Sequence, residues 1–324
     1  MSGLFFFAHV FHARYARGMF RCEDTRGPHH PPALSRFSLH GEGPPSEASN
    51  AARHRLNGTS ASGIVAAAHR GCMYLQLTGT NLRLLGSMHL FPATSRRTPP
   101  WIAEAYDWAE ALVFESDPPT ILPFLKAAPQ CGADSLQPLL SADAWQQLQA
   151  VWPAEGPLAP LADLRPWAAL IIAPTLFQQV VEGVEPRLLR SASTQAKPYR
   201  YLETAREVAA SLESIPLEAI GAALGLLMAD LTEPQRTLER MHEAWLHGDL
   251  PAVQQIADES PMFNLPGIRD AILDARNRAW AARLTELMAQ PERTLAVVGA
   301  LHLCGPGNLI DCLARPVEPV FAGT

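Results

Sequence analysis

The 324-residue sequence has little lysine, no paired cysteines and no long apolar run, and each shortage excludes a class of protein. Lys126 and Lys197 are the only lysines, so the positive charge is almost entirely arginine. The five cysteines are scattered without a Cys-x-x-Cys pair, which argues against a disulfide scaffold and against a zinc finger. No stretch reaches the roughly 18 apolar residues that a membrane span needs, so the sequence predicts no such span.

The first apolar run, LFFFAHVF, is not typical of a signal peptide. No basic residue precedes it, and a histidine lies inside it. We therefore expect a cytoplasmic location.

Charge is unevenly distributed along the chain. Residues 1–70 hold 8 of the 26 basic and 4 of the 32 acidic residues, whereas the remainder holds 18 basic and 28 acidic residues. The acidic remainder excludes a body that binds nucleic acid, because neutralising phosphates requires clustered arginine and lysine. Residues 1–70 are also rich in Pro, Gly, Ser and His and show no sustained period. We predict that they form a disordered arm and that residues 71–324 form a single domain.

The domain begins and ends with strand patterns. From Tyr74, alternating and then apolar residues predict a hairpin that ends in a buried strand, after which a helix and another strand follow. Near the C-terminus, RTLAVVG predicts a strand, which a glycine-rich turn, a helix and a closing strand follow. Between them, about residues 135–290 show helical periodicity, apart from a short strand predicted within 197–204. This order predicts a mixed α/β fold, in which N- and C-terminal β-α-β units form a central sheet and carry a large helical insertion.

The two β-α-β units share a Gly-x-x-His-Leu phrase after an apolar strand. One copy begins at Gly86 and contains His89, and the other begins at Gly299 and contains His302. In parallel sheets, the loops at the carboxyl ends of the strands form the ligand crevice. A glycine there permits a sharp turn, and the histidine three residues later can point back across that edge.

Two glutamates are expected at the same edge. Glu115 lies near the end of the strand after the first helix, and Glu203 lies at the end of the predicted short strand. Two imidazoles and two carboxylates would suit a divalent metal, with one carboxylate left for general acid–base chemistry. Each histidine could instead be a hydrogen-bonded core or turn residue, and Glu115 could be a strand-end charge that meets solvent.

Three further features are assigned structural roles. His242 and His247 are spaced i,i+5, which does not place them on one helix face, and we interpret both as surface residues of a helix. Cys304 is interpreted as a small buried apolar residue. The glycine-rich segment 305–308 is interpreted as a plain turn, although its free N–H groups could hold an anion.

The sequence resembles the TraB/GumN family, also called TraB/PrgY, which includes the Tiki-type proteins. The likeness covers about residues 73–323 and depends on the order and spacing of several motifs. These motifs are Gly86-Ser87-Met88-His89, the strand that ends at Glu115, Lys197-Pro198 with Leu202-Glu203-Thr204, Arg276-Asn277 followed by Trp280, and Val298 to Gly305. One departure is Ser87, where the family more often has threonine.

The resemblance implies a divalent-metal-dependent hydrolase, since Tiki-type members are described as metalloproteases that depend on manganese or cobalt. Zinc and iron are the other candidate metals. By match of motif, His89 and His302 would be metal ligands. Glu115 and Glu203 would be a further ligand and the general base, in an order that stays open.

The resemblance also implies roles for Arg276 and Asn277, which would support these groups or polarise the substrate, since a guanidinium can stabilise a developing oxyanion. The substrate would be a peptide or another small molecule with an amide bond. The alternative is a non-catalytic protein that sequesters a peptide or a small ligand in the same crevice. A shared metal requires the imidazole nitrogens of His89 and His302 to lie about 4–5 Å apart, and a separation of about 15 Å would exclude it.

Overall fold

The computed structural model describes residues 73–95, 97–126, 135–153 and 160–320. The predicted disordered arm, residues 1–70, lies outside this part of the chain. Within the described residues, the predicted mixed α/β class is confirmed. A six-stranded mixed sheet forms the centre, and a two-stranded sheet and many helices accompany it.

The main sheet is mostly parallel. The described strands are β1 (Tyr74–Leu77), β2 (Leu82–Ser87), β3 (Leu90–Pro92), β4 (Ala111–Phe114), β5 (Val180–Glu182), β6 (Tyr199–Tyr201), β7 (Thr294–Gly299) and β8 (Val317–Pro319). Their order in the main sheet is β6-β4-β7-β2-β1-β8, and β3 pairs with β5 in the small sheet. Strands β6, β4, β7 and β2 are parallel to one another, whereas β1 is antiparallel to both of its neighbours.

Most of the helices lie between β4 and β7 in the chain. The α-helices are α1 (Pro100–Trp108), α2 (Ala142–Val151), α3 (Pro166–Ile172), α4 (Val184–Gln195), α5 (Ala205–Glu213), α6 (Leu217–Ala229), α7 (Glu233–Leu246), α8 (Leu250–Asp258), α9 (Ala275–Met288) and α10 (Leu309–Leu313). One turn of π-helix, Asp270–Asp274, leads directly into α9.

The predicted hairpin is confirmed as β1 and β2. In neither β-α-β unit are the two strands neighbours in the sheet. In the C-terminal unit, β2 and β1 lie between β7 and β8. The strands of the N-terminal unit, β2 and β4, are not neighbours, because β7 from the C-terminal unit lies between them. The short strand predicted within residues 197–204 is β6, which forms the edge of the main sheet. The helical insertion at about residues 135–290 therefore contributes a strand to the central sheet.

The central strands are buried on both faces, as is usual for parallel strands that have helices on each side. All six residues of β7 are buried. The carboxyl end of β2 is anchored by Trp245 of α7, which is fully buried and donates its indole N–H to the carbonyl oxygen of Gly86 at 2.9 Å. This bond fixes the strand end from which the first Gly-x-x-His phrase begins.

Among the described residues, no single helix is long and apolar enough to cross a membrane. The helices α5 and α6 are together long and apolar enough, but they are bent by 89° to each other. Seven of the 13 residues of α6 are buried. The compartment stays a prediction.

Candidate functional site

Four parallel strands end at one edge of the main sheet, and each is followed closely by a predicted site residue. His89 follows β2, His302 follows β7, Glu115 follows β4 and Glu203 follows β6. Their side chains are almost fully buried, with Glu203 the most exposed at 7%. The backbone N–H of Glu203 donates to the carbonyl oxygen of Glu115 at 2.9 Å, which extends the β4–β6 ladder past the strand ends. The structure therefore brings these four residues together.

Two imidazole nitrogens converge on one carboxylate oxygen. The distance from His89 Nε2 to Glu115 Oε1 is 3.7 Å, and the distance from His302 Nε2 to the same oxygen is also 3.7 Å. The two nitrogens are thus at most twice that distance apart. This bound is well below the separation that would exclude a shared ion.

His302 is held in one orientation by Asn277 of α9. The Asn277 amide donates to the carbonyl oxygen of Gly307 at 2.9 Å, so its oxygen is left to accept from His302 Nδ1, which lies 2.7 Å away. The ring proton is therefore assigned to Nδ1, and Nε2 presents a lone pair toward Glu115. Burial, and then the positive charge of Arg276, hold the pKa of His302 well below its usual value, so the imidazole is neutral.

His89 is held in the same manner by a residue that the sequence analysis missed. Its Nδ1 lies 2.8 Å from Oε1 of Glu185, in the first turn of α4. Burial lowers the pKa of His89, but the charges of Glu185 and Glu115 outweigh this effect and raise it. Ser87, where the family more often has threonine, donates its hydroxyl to the same Glu185 oxygen. A hydroxyl at this position thus serves to orient the carboxylate that orients His89.

Glu185 reaches His89 because the chain approaches it closely at Gly183. The Gly183 N–H donates to the carbonyl oxygen of His89 at 2.9 Å, and a Cβ at this position would overlap the carbonyl oxygen of Met88. Only glycine permits this approach. The sequence offers no motif for Glu185, and Gly183 before a helix was the single available signal.

The two motif glycines act differently from the expected sharp turns. A Cβ on Gly86 would lie 3.2 Å from side-chain atoms of both Leu303 and Met73, so this glycine permits close packing. Gly299 has an ordinary φ of −56° and donates its N–H to Glu115 Oε1 at 2.6 Å. Gly86 thus lets the first Gly-x-x-His-Leu phrase pack against Leu303 of the second, and Gly299 fixes the carboxylate of Glu115.

Arg276 links the two predicted glutamates. Its Nη2 donates to Glu115 Oε2 at 2.9 Å, and its Nε donates to Glu203 Oε1 at 3.0 Å. Its Nη1 donates to the carbonyl oxygen of Ile272 at 3.1 Å, within the π-helical turn before α9. Burial raises the pKa of Glu203 despite the neighbouring guanidinium. The carboxylates of Glu115 and Glu203 are therefore both fixed by charged hydrogen bonds from Arg276.

The buried charges of the site do not balance. Three carboxylates, Glu115, Glu185 and Glu203, face one guanidinium, Arg276. With ionised carboxylates, the site carries about one negative charge when His89 is protonated, the state that its raised pKa favours, and about two when His89 is neutral, in a medium where uncompensated charge is costly. In the described ranges, no three His, Cys, Asp or Glu side chains are already arranged so that they could hold a metal ion.

A groove reaches this site from outside. It has a volume of about 1030 Å³ and runs beside β6, and Glu203 is among the residues that line it. Glu203 is thus the member of the site that an entering molecule would meet first.

The interpretation of His242 as a surface residue is wrong. His242 is 6% exposed, its Nε2 lies 3.0 Å from the hydroxyl of Ser95, and its ring packs against Phe91. It belongs to the apolar stripe of α7 together with Met241 and Trp245. The i,i+5 spacing correctly separates it from His247, which is exposed, but does not indicate which of the two faces inward.

The burial of His242 has a consequence for stability against pH. Burial, opposed by Glu243 and aided by Arg97, lowers the pKa of His242, so the unfolded chain binds a proton near pH 6.5 that the folded chain does not bind. The contribution of His242 to the free energy of unfolding should therefore fall as the pH drops below about 6.5, by at most about 1.4 kcal/mol per pH unit. Urea unfolding of the wild type and His242→Gln between about pH 6.5 and 5.5 should show the smaller slope in the variant. Ser95→Ala, which keeps the imidazole, should retain the wild-type slope, and equal slopes in all three proteins would contradict this explanation.

The remaining structural interpretations agree with the structure. Cys304 is buried, its thiol lies 3.6 Å from the carbonyl oxygen of Ala300, and burial raises its pKa to about 12. In the segment 305–308, Gly305 and Gly307 have φ values of +77° and +69°, and Asn308 accepts from the N–H of Asp311 at the start of α10. This turn takes part in the site only through Gly307, whose carbonyl oxygen orients Asn277.

Comparison with known proteins supports one assignment. The sequence model of the TraB/PrgY/gumN family matches residues 75–316. The chain is 29% identical over 242 residues to "Uncharacterized protein YbaP" of Escherichia coli (strain K12), covering 72% of this chain and 88% of that protein. It is also 29% identical over 239 residues to the Shigella flexneri protein of the same name, covering 71% and 86%. No solved structure gives a significant match. The chain belongs to the TraB/PrgY/gumN family.

Proposed function

We propose that this protein is a divalent-metal-dependent hydrolase of peptide or other amide bonds, with Mn²⁺ or Co²⁺ as the first candidates and Zn²⁺ or Fe²⁺ as the others. The observation that carries the proposal is the convergence of His89 Nε2 and His302 Nε2 on Glu115 Oε1, each at 3.7 Å. This distance is too long for a hydrogen bond. It is close to the roughly 3.4 Å that separates two ligands of a tetrahedral ion with bonds of ~2.1 Å.

The supports of the two histidines also fit a metal. Histidines that bind metals usually donate their other ring N–H to a carboxylate or a carbonyl oxygen. Glu185 and Asn277 accept from Nδ1 of His89 and His302 in this manner. Glu115 already accepts from Gly299 and from Arg276, but each carboxylate oxygen has a further lone pair with which it could bind an ion.

The charge of the site supports a divalent ion. A metal ion would bind His89 only without its proton, and the site would then carry about two negative charges, which one divalent cation would neutralise. When bound, such a cation would polarise a substrate carbonyl and lower the pKa of water beside it.

The two glutamates support different roles, which the sequence leaves open. Glu115 lies between both imidazoles and has no exposed surface, so we assign it as the third ligand. Glu203 lines the groove, and burial raises its pKa toward the range in which a carboxylate exchanges protons at neutral pH. We therefore assign Glu203 as the group that accepts and returns a proton, with Arg276 holding it in position.

A second candidate function is sequestration of a peptide without turnover. The observation that favours it is the complete burial of Glu115 and His302, which leaves Glu203 as the site residue nearest to the groove.

The proposal is tested by metal content together with turnover. The purified full chain should carry about one divalent ion, a chelator should remove both the ion and the hydrolysis of quenched fluorogenic peptides, and Mn²⁺ or Co²⁺ should restore both. Glu203→Gln should retain the ion and lower the rate by roughly 10²–10⁴-fold, as the loss of a general base does. Peptide binding without turnover, with Glu203→Gln changing only affinity, would favour sequestration. A wild-type chain that neither carries nor takes up a divalent ion would refute the metal site.

A further inference from the structure

The strand that leads to Glu203 has an open edge. In the part of the chain that the structure describes, β6 pairs with β4 on one side and has no strand on the other. The N–H of Leu112 donates to the carbonyl oxygen of Pro198 at 2.9 Å, and the N–H of Leu202 donates to the carbonyl oxygen of Phe114 at 2.8 Å. Because backbone groups alternate in direction along a parallel strand, the N–H and C=O groups of Tyr199 and Tyr201 point away from β4.

The groove lies beside the end of β6 and the residues that follow it. Its lining includes Tyr201 and Arg200, which are consecutive in β6 and therefore project from opposite faces of the sheet. It also includes Asp117 from the loop after β4 and Arg283 from α9. A cavity lined from both faces of a sheet lies along its edge, where an extended chain can pair with the backbone.

The groove is continuous with the proposed site. Beyond Tyr201, its wall continues through Leu202 and Glu203 to Thr204. The Glu203 carboxylate binds Arg276, which in turn binds Glu115. A chain that lay along β6 would therefore pass directly over the residue to which we assign proton transfer.

The groove is lined by three arginines and by three acidic residues, Asp117, Glu203 and Glu207, and one of the arginines differs from the others in its pairing. Arg200 pairs with Glu292 and Arg283 pairs with Glu207. Arg206, by contrast, has no carboxylate partner within the described residues, and its guanidinium lies 5.8 Å from the centre of the Phe124 ring. A carboxylate on the bound segment would provide the missing partner.

We propose that this groove binds an extended peptide segment, with one carboxylate side chain opposite Arg206, as an additional strand on β6 and delivers it to Glu203. This inference rests on the proposed hydrolase in one respect: the bound peptide is a substrate only if the protein hydrolyses it. The substrate would then be an unfolded or extended stretch of polypeptide. Main-chain hydrogen bonds would supply affinity with little sequence preference, and Arg206 would supply the preference for acid.

Backbone methylation of a peptide tests this mode of binding on the wild-type protein. The probe is a fluorescein-labelled peptide of about ten residues that alternates Val and Thr with one central Glu, and the measurement is fluorescence polarisation with the full chain. Two peptides are compared, one N-methylated at the odd-numbered residues and one at the even-numbered residues. One of them should bind roughly tenfold or more weakly and the other about as well as the unmethylated peptide, since only alternate N–H groups of an added strand face β6. Equal tolerance of both methylated peptides would overturn the proposal.

Paired variants test the same strand from the protein side. Tyr201→Pro removes the outward N–H within the groove lining, a change that edge strands tolerate, and Tyr201→Ala is the matched control that loses the ring but keeps the N–H. Tyr201→Pro should bind the probe more weakly than Tyr201→Ala, and equal affinities of two folded variants would contradict strand addition. Arg206→Ala should remove the preference for the Glu peptide over its Gln version.

The metal-site variant His302→Ala separates this inference from the proposed function. It should bind the probe as the wild type does, because the groove lies outside the triangle of His89, His302 and Glu115. A wild-type protein that binds the probe but takes up no divalent ion would refute the proposed hydrolase. The assignment of the groove would then still hold. A metal-loaded protein that hydrolyses peptides but binds both methylated peptides equally would refute the groove alone.

Discussion

His302→Ala should lower the affinity of the protein for Mn²⁺ or Co²⁺ by more than about 100-fold. Loss of a group that merely supports a ligand costs about 10–100-fold, and here a proposed ligand itself is removed. Isothermal titration of the metal-free chain measures the effect directly. Asn277→Ala, which leaves the imidazole present but without its partner at Nδ1, should fall in the 10–100-fold range.

His242→Ala is the matched control for His302→Ala. Both residues are buried histidines with a polar partner on one ring nitrogen, but His242 pairs with Ser95 and packs beside Phe91. It should keep wild-type metal affinity even where it loses stability. Equal losses of affinity in the two variants, or no loss in His302→Ala, would contradict the assignment of His302 as a ligand.

Arg276→Met should destabilise the protein by about 3–5 kcal/mol, the range for removal of one partner from a buried ion pair. The substitution leaves the carboxylates of Glu115 and Glu203 buried without their shared cation. Urea unfolding of the metal-free chain, in which no ion compensates, gives the relevant free energy.

Arg278→Met provides a comparison on the same helix. Arg278 also pairs with a carboxylate, that of Asp270, but its side chain is 62% exposed, so the loss should stay below about 1 kcal/mol. Similar losses in the two variants would show that burial of the Arg276 network contributes nothing beyond an ordinary surface ion pair.

The parts of the fold that depend on local pattern could be predicted from the sequence. The hairpin of β1 and β2, the apolar strand β7 and the short strand β6 each have a periodicity or a run that is typical of a strand. The position of β7 between β2 and β4 could not be predicted, because the order of parallel strands is decided by packing between segments that lie far apart in the chain.

The site shows the same division. His89 and His302 share a phrase that is visible in the sequence, whereas Glu185 becomes relevant only because Gly183 lets the start of α4 approach His89. The spacing of His242 and His247 alone does not show which face of α7 packs inward. The neighbouring Met241 and Trp245 decide that question, and they do so through contacts with other elements.

The insertion of β7 between β2 and β4 also determines when this protein can finish folding during synthesis. Both of its neighbours are made near the start of the domain, and they stay without their shared partner until residues 294–299 leave the ribosome. Until then the nascent chain exposes two apolar strand edges, which are the surfaces through which incomplete sheets aggregate. His302 follows β7 in the chain, so the pair of imidazoles is completed only after the sheet has received its last central strand. A chain that ended before residue 294 would lack both the strand that joins β4 to β2 and the second histidine.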